Sequence, residues 1–207
     1  MRTGLILAFC FVVFLVASSV LRADQINLVT NGGFETGNFT GWTVGYAATN
    51  SDIDVYGIPH SGTYAAEFGQ STEEYDSISQ TLTTQAGSAY ILGFWLYNSP
   101  SITGTITATN ADFHVLWDGV SITDINGGDP IDQSGYTYFS FNLTGTGSDT
   151  LLIEGYNAPS YYNLDDVSLT ADMSAIPEPS SLLLLSSGLL GFAGLLHKRL
   201  ADYLLFA

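Results

Sequence analysis

Between residues 23 and 197 the chain contains no lysine and no arginine; its four basic residues are Arg2, Arg22, Lys198 and Arg199. Of its 20 acidic residues, 19 lie inside that same interval. The central region can therefore form no Lys or Arg salt bridge. Nucleic acid is excluded as a partner, because nothing there can neutralise phosphate. Polyanionic sugars are poor partners for the same reason, unless divalent cations bridge the two. A neutral glycan, a cation or a protein surface remains compatible. Cysteine is almost as scarce: Cys10 is the only one, and it lies in the leading apolar segment. Once that segment is removed, neither a disulfide nor a thiolate metal site can exist. An exported domain without disulfides needs another brace, either a sufficient core or a metal ion. Catalytic motifs are missing too. There is no nucleophile elbow and no nucleotide-binding loop, and His60 and His114 stand without His-rich metal spacing.

The first segment, 1–23, reads as a secretory signal. Arg2 supplies a positive start, Leu5 to Val16 an apolar run, and Ser18-Ser19 lead to Ala23, with cleavage expected before Asp24. The alternative is an uncleaved anchor helix, since Leu21 and Arg22 blur the cleavage site. A lipoprotein signal is excluded because bulky Phe9 precedes Cys10, which comes too early in the apolar run.

Residues 24–175 form the globular unit, long enough for one core. Thr, Tyr, Phe, Val and Ile alternate with polar residues in short runs, and Gly, Asn, Asp and Ser clusters separate them. Strands are expected over 77–83, 90–97, 102–107, 112–117, 136–143, 150–156 and 163–169. Ile78, Gln80 and Leu82 should share one face. Turns are signalled by Asn31-Gly32-Gly33, Asp118-Gly119, Asn126-Gly127-Gly128 and Gly145-Thr146-Gly147. With no sustained helical period, roughly eight or nine strands imply an all-β fold, a jelly-roll β-sandwich. Trp42 and Trp95 are expected in its core.

Residues 176–207 differ in kind. Pro177-Glu178-Pro179 breaks any strand or helix. Leu182 to Leu196 is then apolar, and His197-Lys198-Arg199 follows. A transmembrane-like helix is expected, although the run is shorter than the ~20 residues of a full span. The basic cluster should stay cytoplasmic with the β domain outside. This order of Pro-Glu-Pro, apolar helix and Lys198-Arg199 resembles the PEP-CTERM sorting signal of exopolysaccharide-producing bacteria. The resemblance implies an exosortase-type protease that cuts near Pro177, Glu178 and Pro179. It also implies a transient inner-membrane anchor and release to the cell surface or extracellular matrix. The chain departs from the pattern by continuing from Leu200 to Ala207.

The β domain is similar to carbohydrate-binding-module-like (galactose-binding-like) jelly rolls. Asn27 to Gly37 with Gly41-Trp42 resembles their opening strand, and His60 to Ala66 the next. Ile78 to Leu82 and Tyr90 to Trp95 resemble the following pair, and Leu164 to Leu169 the closing strand. The resemblance implies a structural calcium between the first and last strands, held by Glu35 and Asp165, with Asp166 as second choice. Carbonyls near Gly33 and Ser61-Gly62 would complete its shell. Alternation puts Asp165 on one face with Val167 and Leu169, pointing into the core.

Glycan binding would use exposed aromatic rings, with Tyr46, Tyr97, Tyr156 and Tyr161 as leading candidates and Tyr56, Tyr75 and Tyr162 beside them. The chain is therefore expected to be a non-enzymatic exported surface or matrix protein, binding neutral polysaccharide or exopolysaccharide. The alternative is an extracellular polysaccharide-acting hydrolase, whose carboxylate pair would come from Glu73, Glu74 and Asp76.

Overall fold

A computed structural model describes residues 25–70, 74–99, 111–126, 135–158, 160–172 and 180–205. The expected signal, the strand over 102–107, Glu73, the turn at Gly127-Gly128 and the Pro177-Glu178-Pro179 motif lie outside those residues. The chain divides into two compact units, residues 1–171 and 172–207.

In the first unit the described strands are β1 (Thr43–Gly45), β2 (Ser51–Tyr56), β3 (Ala65–Gln70), β4 (Asp76–Thr83), β5 (Ala89–Asn98), β6 (Ala111–Trp117), β7 (Val120–Asn126), β8 (Thr137–Thr144), β9 (Ser148–Asn157) and β10 (Tyr161–Ala171). They form two five-stranded antiparallel sheets, ordered β1-β4-β9-β6-β7 and β2-β3-β10-β5-β8. This is the jelly-roll sandwich that the strand spacing implies.

One face of each sheet meets the other. β4 contributes Ile78 and Leu82, β5 Leu92, Phe94 and Leu96, β6 Phe113 and Val115, and β9 Leu151 and Ile153. Within each strand these side chains are an even number of residues apart, as one buried face requires. Phe113 sits at the centre, with ring contacts to Phe68, Phe94 and Tyr162. Gln80 is buried on the same face as Ile78 and Leu82. Its amide accepts from the Thr30 N–H at 3.0 Å and donates to the Thr30 carbonyl at 2.7 Å. A polar side chain thus stands in for a missing strand and anchors the opening segment.

That opening segment, expected as a strand, is a chain of turns. Asn31 and Phe34 adopt left-handed backbone at φ 52° and 56°, which interrupts a regular strand. It nevertheless runs beside β10. Leu28 donates to the Leu169 carbonyl and Val167 to the Gly32 carbonyl, each at 2.9 Å. A Cβ on Gly32 would fall 1.9 Å from the Val167 carbonyl oxygen, so only glycine fits this approach. Trp42 lies in the core as expected, stacked on Phe34 at 5.9 Å.

A second correction concerns β10. Its pairing with β5 shifts register between Asp165 and Ser168, and Asp166 takes φ 51°. A bulge of this kind inserts an extra residue and reverses the alternation. Tyr162 and Leu164 face the core before it, and Val167 and Leu169 after it. Asp165, opposite Trp95, consequently sits on the outer face and not with Val167 and Leu169. Trp95 is also outside the core: Leu92, Phe94 and Leu96 point inward, so Ile91, Gly93, Trp95 and Tyr97 share the other face.

In the second unit, helix α1 (Ser180–Leu205) continues past Lys198 and Arg199. Among the described residues no helix is long and apolar enough to cross a membrane. The apolar run from Leu182 to Leu196 covers only about 22 Å of helix at 1.5 Å per residue, against a hydrocarbon core of about 30 Å.

Candidate functional site

The outer face of the second sheet gathers side chains from five strands and one loop. β5 presents Trp95 and Tyr97, β8 presents Tyr138, and β10 presents Tyr161, Asn163 and Asp165. β2 and β3 add Asp52, Asp54 and Glu67, paired across their register. Two glycines make room for flat-lying rings. A Cβ on Gly93 would meet the Tyr138 hydroxyl at 2.3 Å, and one on Gly69 would meet the Tyr161 ring at 2.4 Å. Both tyrosines therefore lie across the sheet, half exposed at 50% and 37%.

His60, from the loop before β3, completes an aromatic platform. Its ring stacks on Trp95 at 3.9 Å and 14°. Tyr136 meets His60 edge-on at 5.3 Å and Tyr97 at 5.6 Å, and Tyr138 meets Trp95 at 5.1 Å. Five rings thus form one connected series, Tyr97, Tyr136, His60, Trp95 and Tyr138.

The loop is held by the two aspartates at the bulge. Asp165 Oδ2 accepts from the His60 N–H at 2.8 Å and the Ser61 N–H at 3.0 Å, and its Oδ1 accepts from the Asp166 N–H at 2.7 Å. Asp166 faces His60 Nδ1 at 2.7 Å and accepts from the Ser61 hydroxyl at 2.8 Å. Asn163 accepts from the Ile58 N–H at 3.0 Å, and Tyr136 donates to the Ile58 carbonyl. The bulge thus turns two carboxylates toward the loop that carries His60.

Burial first, and then unrelieved negative charge, shapes the titration here. Burial, then the neighbouring Asp166, outweigh the N–H donors and raise Asp165 above the usual carboxylate range. Burial followed by Asp52 and Asp54 raises Glu67 likewise. The phenol of Tyr136 is raised by burial and then by Asp165 and Asp166.

The residues expected to hold calcium do converge. Glu35 Oε1 accepts from the Thr63 and Tyr64 N–H groups at 2.9 and 3.1 Å. From the Cβ direction of Gly33, Asp166 Oδ1, Asp165 Oδ1 and Glu35 Cγ lie 3.5, 3.8 and 3.9 Å away. Gly33, Glu35, Ser61, Asp165 and Asp166 therefore meet at one junction of the opening segment, the β2–β3 loop and β10. The carboxylates of Asp165 and Asp166 both reach this junction, and oxygen donors of that kind are what a hard cation takes.

Of the ring candidates, Tyr97 and Tyr161 lie on the platform face. Tyr46 stands apart, exposed in the loop after β1, and Tyr156 is buried on β9 of the first sheet, edge-on to Tyr75 at 5.1 Å. Tyr162 is core. Sequence reasoning missed His60, Tyr136 and Tyr138. Tyr138 alternates with Phe139 on a recognised strand, and that signal alone could have placed it outside.

The carboxylates considered for hydrolysis have structural tasks. Asp76 is fully buried and accepts from the Ala47 and Asp52 N–H groups, each at 2.8 Å, and from the Ser51 hydroxyl. Glu74 accepts from the Thr49 N–H at 2.9 Å. Both fasten the β1–β2 connection.

Known proteins resemble this chain at two levels. A family model described as a carbohydrate binding domain matches residues 26–150, and the PEP-CTERM protein-sorting motif matches residues 175–199. No curated protein matches the chain. Among solved structures, TmCBM61 in complex with beta-1,4-galactotriose is 20% identical, with a TM-score of 0.53 over 71% of this chain and 99% of that one. Family 16 Carbohydrate Binding Module-2 is 16% identical, with a TM-score of 0.49 over 70% and 99%. The CBM22-1 xylan-binding domain from Paenibacillus barcinonensis Xyn10C is 17% identical, with a TM-score of 0.46 over 68% and 91%. At 20% identity the likeness to TmCBM61 speaks for the fold alone, whereas the family match covers more than half of the sequence. The chain belongs to the carbohydrate-binding domain family and carries a PEP-CTERM sorting motif.

Proposed function

We propose that this protein is exported to the cell surface or extracellular matrix and binds a neutral polysaccharide on the outer face of its second sheet. The observation that carries the reading is the five-ring platform around His60 and Trp95, bordered by Asn163, Asp52 and Glu67. Sugar rings present C–H faces that stack on aromatic rings and hydroxyls that need polar partners, and this face offers both. Its half-exposed ring, Tyr138, is the first contact. The absence of Lys and Arg from the whole domain favours an uncharged polymer over an anionic one. The hydrolase reading finds less support, because Asp76 and Glu74 are engaged in holding backbone.

Export and sorting complete the proposal. The N-terminal signal is removed near Asp24, α1 holds the chain at the inner membrane, and an exosortase-type protease cuts near Pro177. A structural calcium at Glu35, Asp165 and Asp166, completed by oxygens near Gly33 and Ser61, is part of the same reading. It is supported by the approach of the Asp165 and Asp166 carboxylates to Gly33 and by the burial, with a smaller contribution from the Asp166 charge, that raises Asp165 and that a cation would offset. Calcium would then raise the melting temperature, and Asp166→Asn would remove the response.

The deciding experiment is binding to a panel of uncharged and acidic polysaccharides, with turnover followed in parallel. Retention of an uncharged polymer without cleavage, weakened about tenfold in Tyr138→Ala, is the expected result. Equal binding by wild type and the Tyr138→Ala and Trp95→Ala variants would refute the site, and release of oligosaccharide would restore the hydrolase.

A further inference from the structure

The outer face of the first sheet holds a second constellation, made from three strands and unused by the glycan site. Asp112 and His114 lie two apart on β6, which places both side chains on one face. The register sets His114 opposite Asp124 of β7 on one side and Glu154 of β9 on the other. His114 Nε2 lies 3.3 Å from Asp112 Oδ1 and 3.3 Å from Asp124 Oδ1, while Nδ1 lies 3.4 Å from Glu154 Oε1. One ligand atom from each of Asp112, His114 and Asp124 falls within 4.8 Å of the others.

The charges of this arrangement are not balanced within the domain. A neutral imidazole has one N–H, yet both ring nitrogens face carboxylates. A proton on Nδ1 satisfies Glu154 and leaves the Nε2 lone pair facing two carboxylate oxygens. Even an imidazolium leaves two of the three negative charges uncancelled, and no Lys or Arg exists in the domain to cancel them. A divalent cation at Nε2 answers both problems.

We propose that Asp112, His114 and Asp124 bind a first-row divalent transition ion, best represented by Zn²⁺. Zinc with N and O ligands at ~2.0 Å in tetrahedral geometry separates neighbouring ligand atoms by about 3.3 Å, the spacing that both Nε2 contacts already have. One imidazole with carboxylates selects such an ion over calcium, which takes oxygen alone. The surroundings have the form of a metal site's supporting layer. Glu154 holds Nδ1 in the carboxylate–histidine–metal arrangement. Tyr75 donates to Asp112 Oδ2 at 2.7 Å and stacks on the His114 ring at 5.0 Å, while Oδ1 accepts the Phe113 N–H at 2.9 Å and keeps a second lone pair for the ion. Asp124 is the open side, its side chain 64% exposed, so an ion can enter from solvent and substrate or water can take the remaining position. Bound metal would clip edge strand β7 to β6.

The test is titration of the metal-free full chain with Zn²⁺ by calorimetry and with Co²⁺ by visible absorption. One equivalent should bind, and Co²⁺ should give ligand-field bands with the intensity of a four-coordinate N/O site. Asp124→Asn, which touches only an exposed side chain, should weaken binding at least about tenfold, and His114→Gln should remove the bands. Asp166→Asn, at the separate calcium junction, should leave both signals unchanged. The proposal fails if no Zn²⁺ binds at millimolar concentration. It fails equally if uptake persists unchanged in folded Asp124→Asn and His114→Gln protein, since the ion would then lie elsewhere on the acidic surface.

Discussion

Among the described residues each outer face of the sandwich carries one histidine, stacked on an aromatic ring and facing carboxylates, and the two are used in opposite ways. His60 lies at 3.9 Å on Trp95 and turns one nitrogen to one partner, Asp166. Among the described residues its other nitrogen faces no carboxylate, and the ring serves as a surface within a series of rings. His114 stacks less closely, at 5.0 Å on Tyr75, and turns both nitrogens to carboxylates. Its ring is supported so that its nitrogens can act. The difference lies in what surrounds each histidine: on the second sheet the near neighbours are tyrosines and a tryptophan, on the first they are acids delivered by adjoining strands. A jelly roll can thus carry a stacking surface and a coordinating one back to back on a shared core.

The widest gap between the two should appear in stability. Asp165→Ala removes the acceptor of three backbone N–H groups in a fully buried setting. Unsatisfied buried donors cost about 3 kcal/mol in total, a fall in melting temperature of roughly 6–12 °C for a domain of this size. The His60 loop would lose its anchor, and glycan binding would fall with it. Asp124→Asn without metal should stay within about 0.5 kcal/mol of wild type, because its carboxylate is solvated. Thermal denaturation of both variants measures the comparison directly. Equal losses would mean that the two faces are held alike.

Much of this contrast was not legible in the sequence, and the reasons are physical. β4, β5, β6, β8 and β9 are recognisable to within a residue or two, because each sends at least two apolar side chains into the core at spacing two. β1, β2, β3 and β7 escape the strand pattern, and three of them, β1, β2 and β7, are edge strands. Ile53 and Val55 are the only apolar residues of β2 facing inward, and flanking aspartates give the segment the composition of a loop. The Asp118-Gly119 turn is readable, and both residues have positive φ as a tight hairpin requires. Asp112 and His114 could be assigned to one face by counting. Asp124 and Glu154 could not, since only the pairing register brings them in. The bulge in β10 is the sharpest case: one residue of left-handed backbone at Asp166 moves Asp165 from the expected core to the platform side, and no periodicity announces it.

A smaller effect separates the rings of the platform. Trp95→Ala removes the surface on which both His60 and Tyr138 rest. Affinity for a bound polysaccharide should fall about tenfold or more, with stability lowered by only about 1–2 kcal/mol because Trp95 is outside the core. Tyr75→Phe on the other sheet keeps the stack on His114 and loses only the hydroxyl bond to Asp112. Glycan affinity should not move in that variant, while Zn²⁺ affinity drops. Affinity measurements with both ligands on both variants give a two-by-two comparison, and cross-effects would show that the faces communicate through the core.

The smallest expected effect concerns the acid that borders the platform. Glu67 is raised above the usual carboxylate range by burial and by Asp52 and Asp54. A group raised on folding adds stability while protonated, below its unfolded value, and that contribution is lost as pH climbs through its folded value. At neutral pH the Glu67 carboxylate therefore opposes the fold, and Glu67→Gln should melt higher than wild type. The advantage should vanish near pH 4 and below, where the wild-type residue is itself neutral. Melting curves across that range decide the point. A gain that persists unchanged in acid would trace to packing of the amide and not to charge. The comparison on the first sheet has the opposite sense: there, the excess of carboxylates around His114 should be relieved by Zn²⁺ at neutral pH, so the same stabilisation would be reached by adding an ion instead of removing a charge.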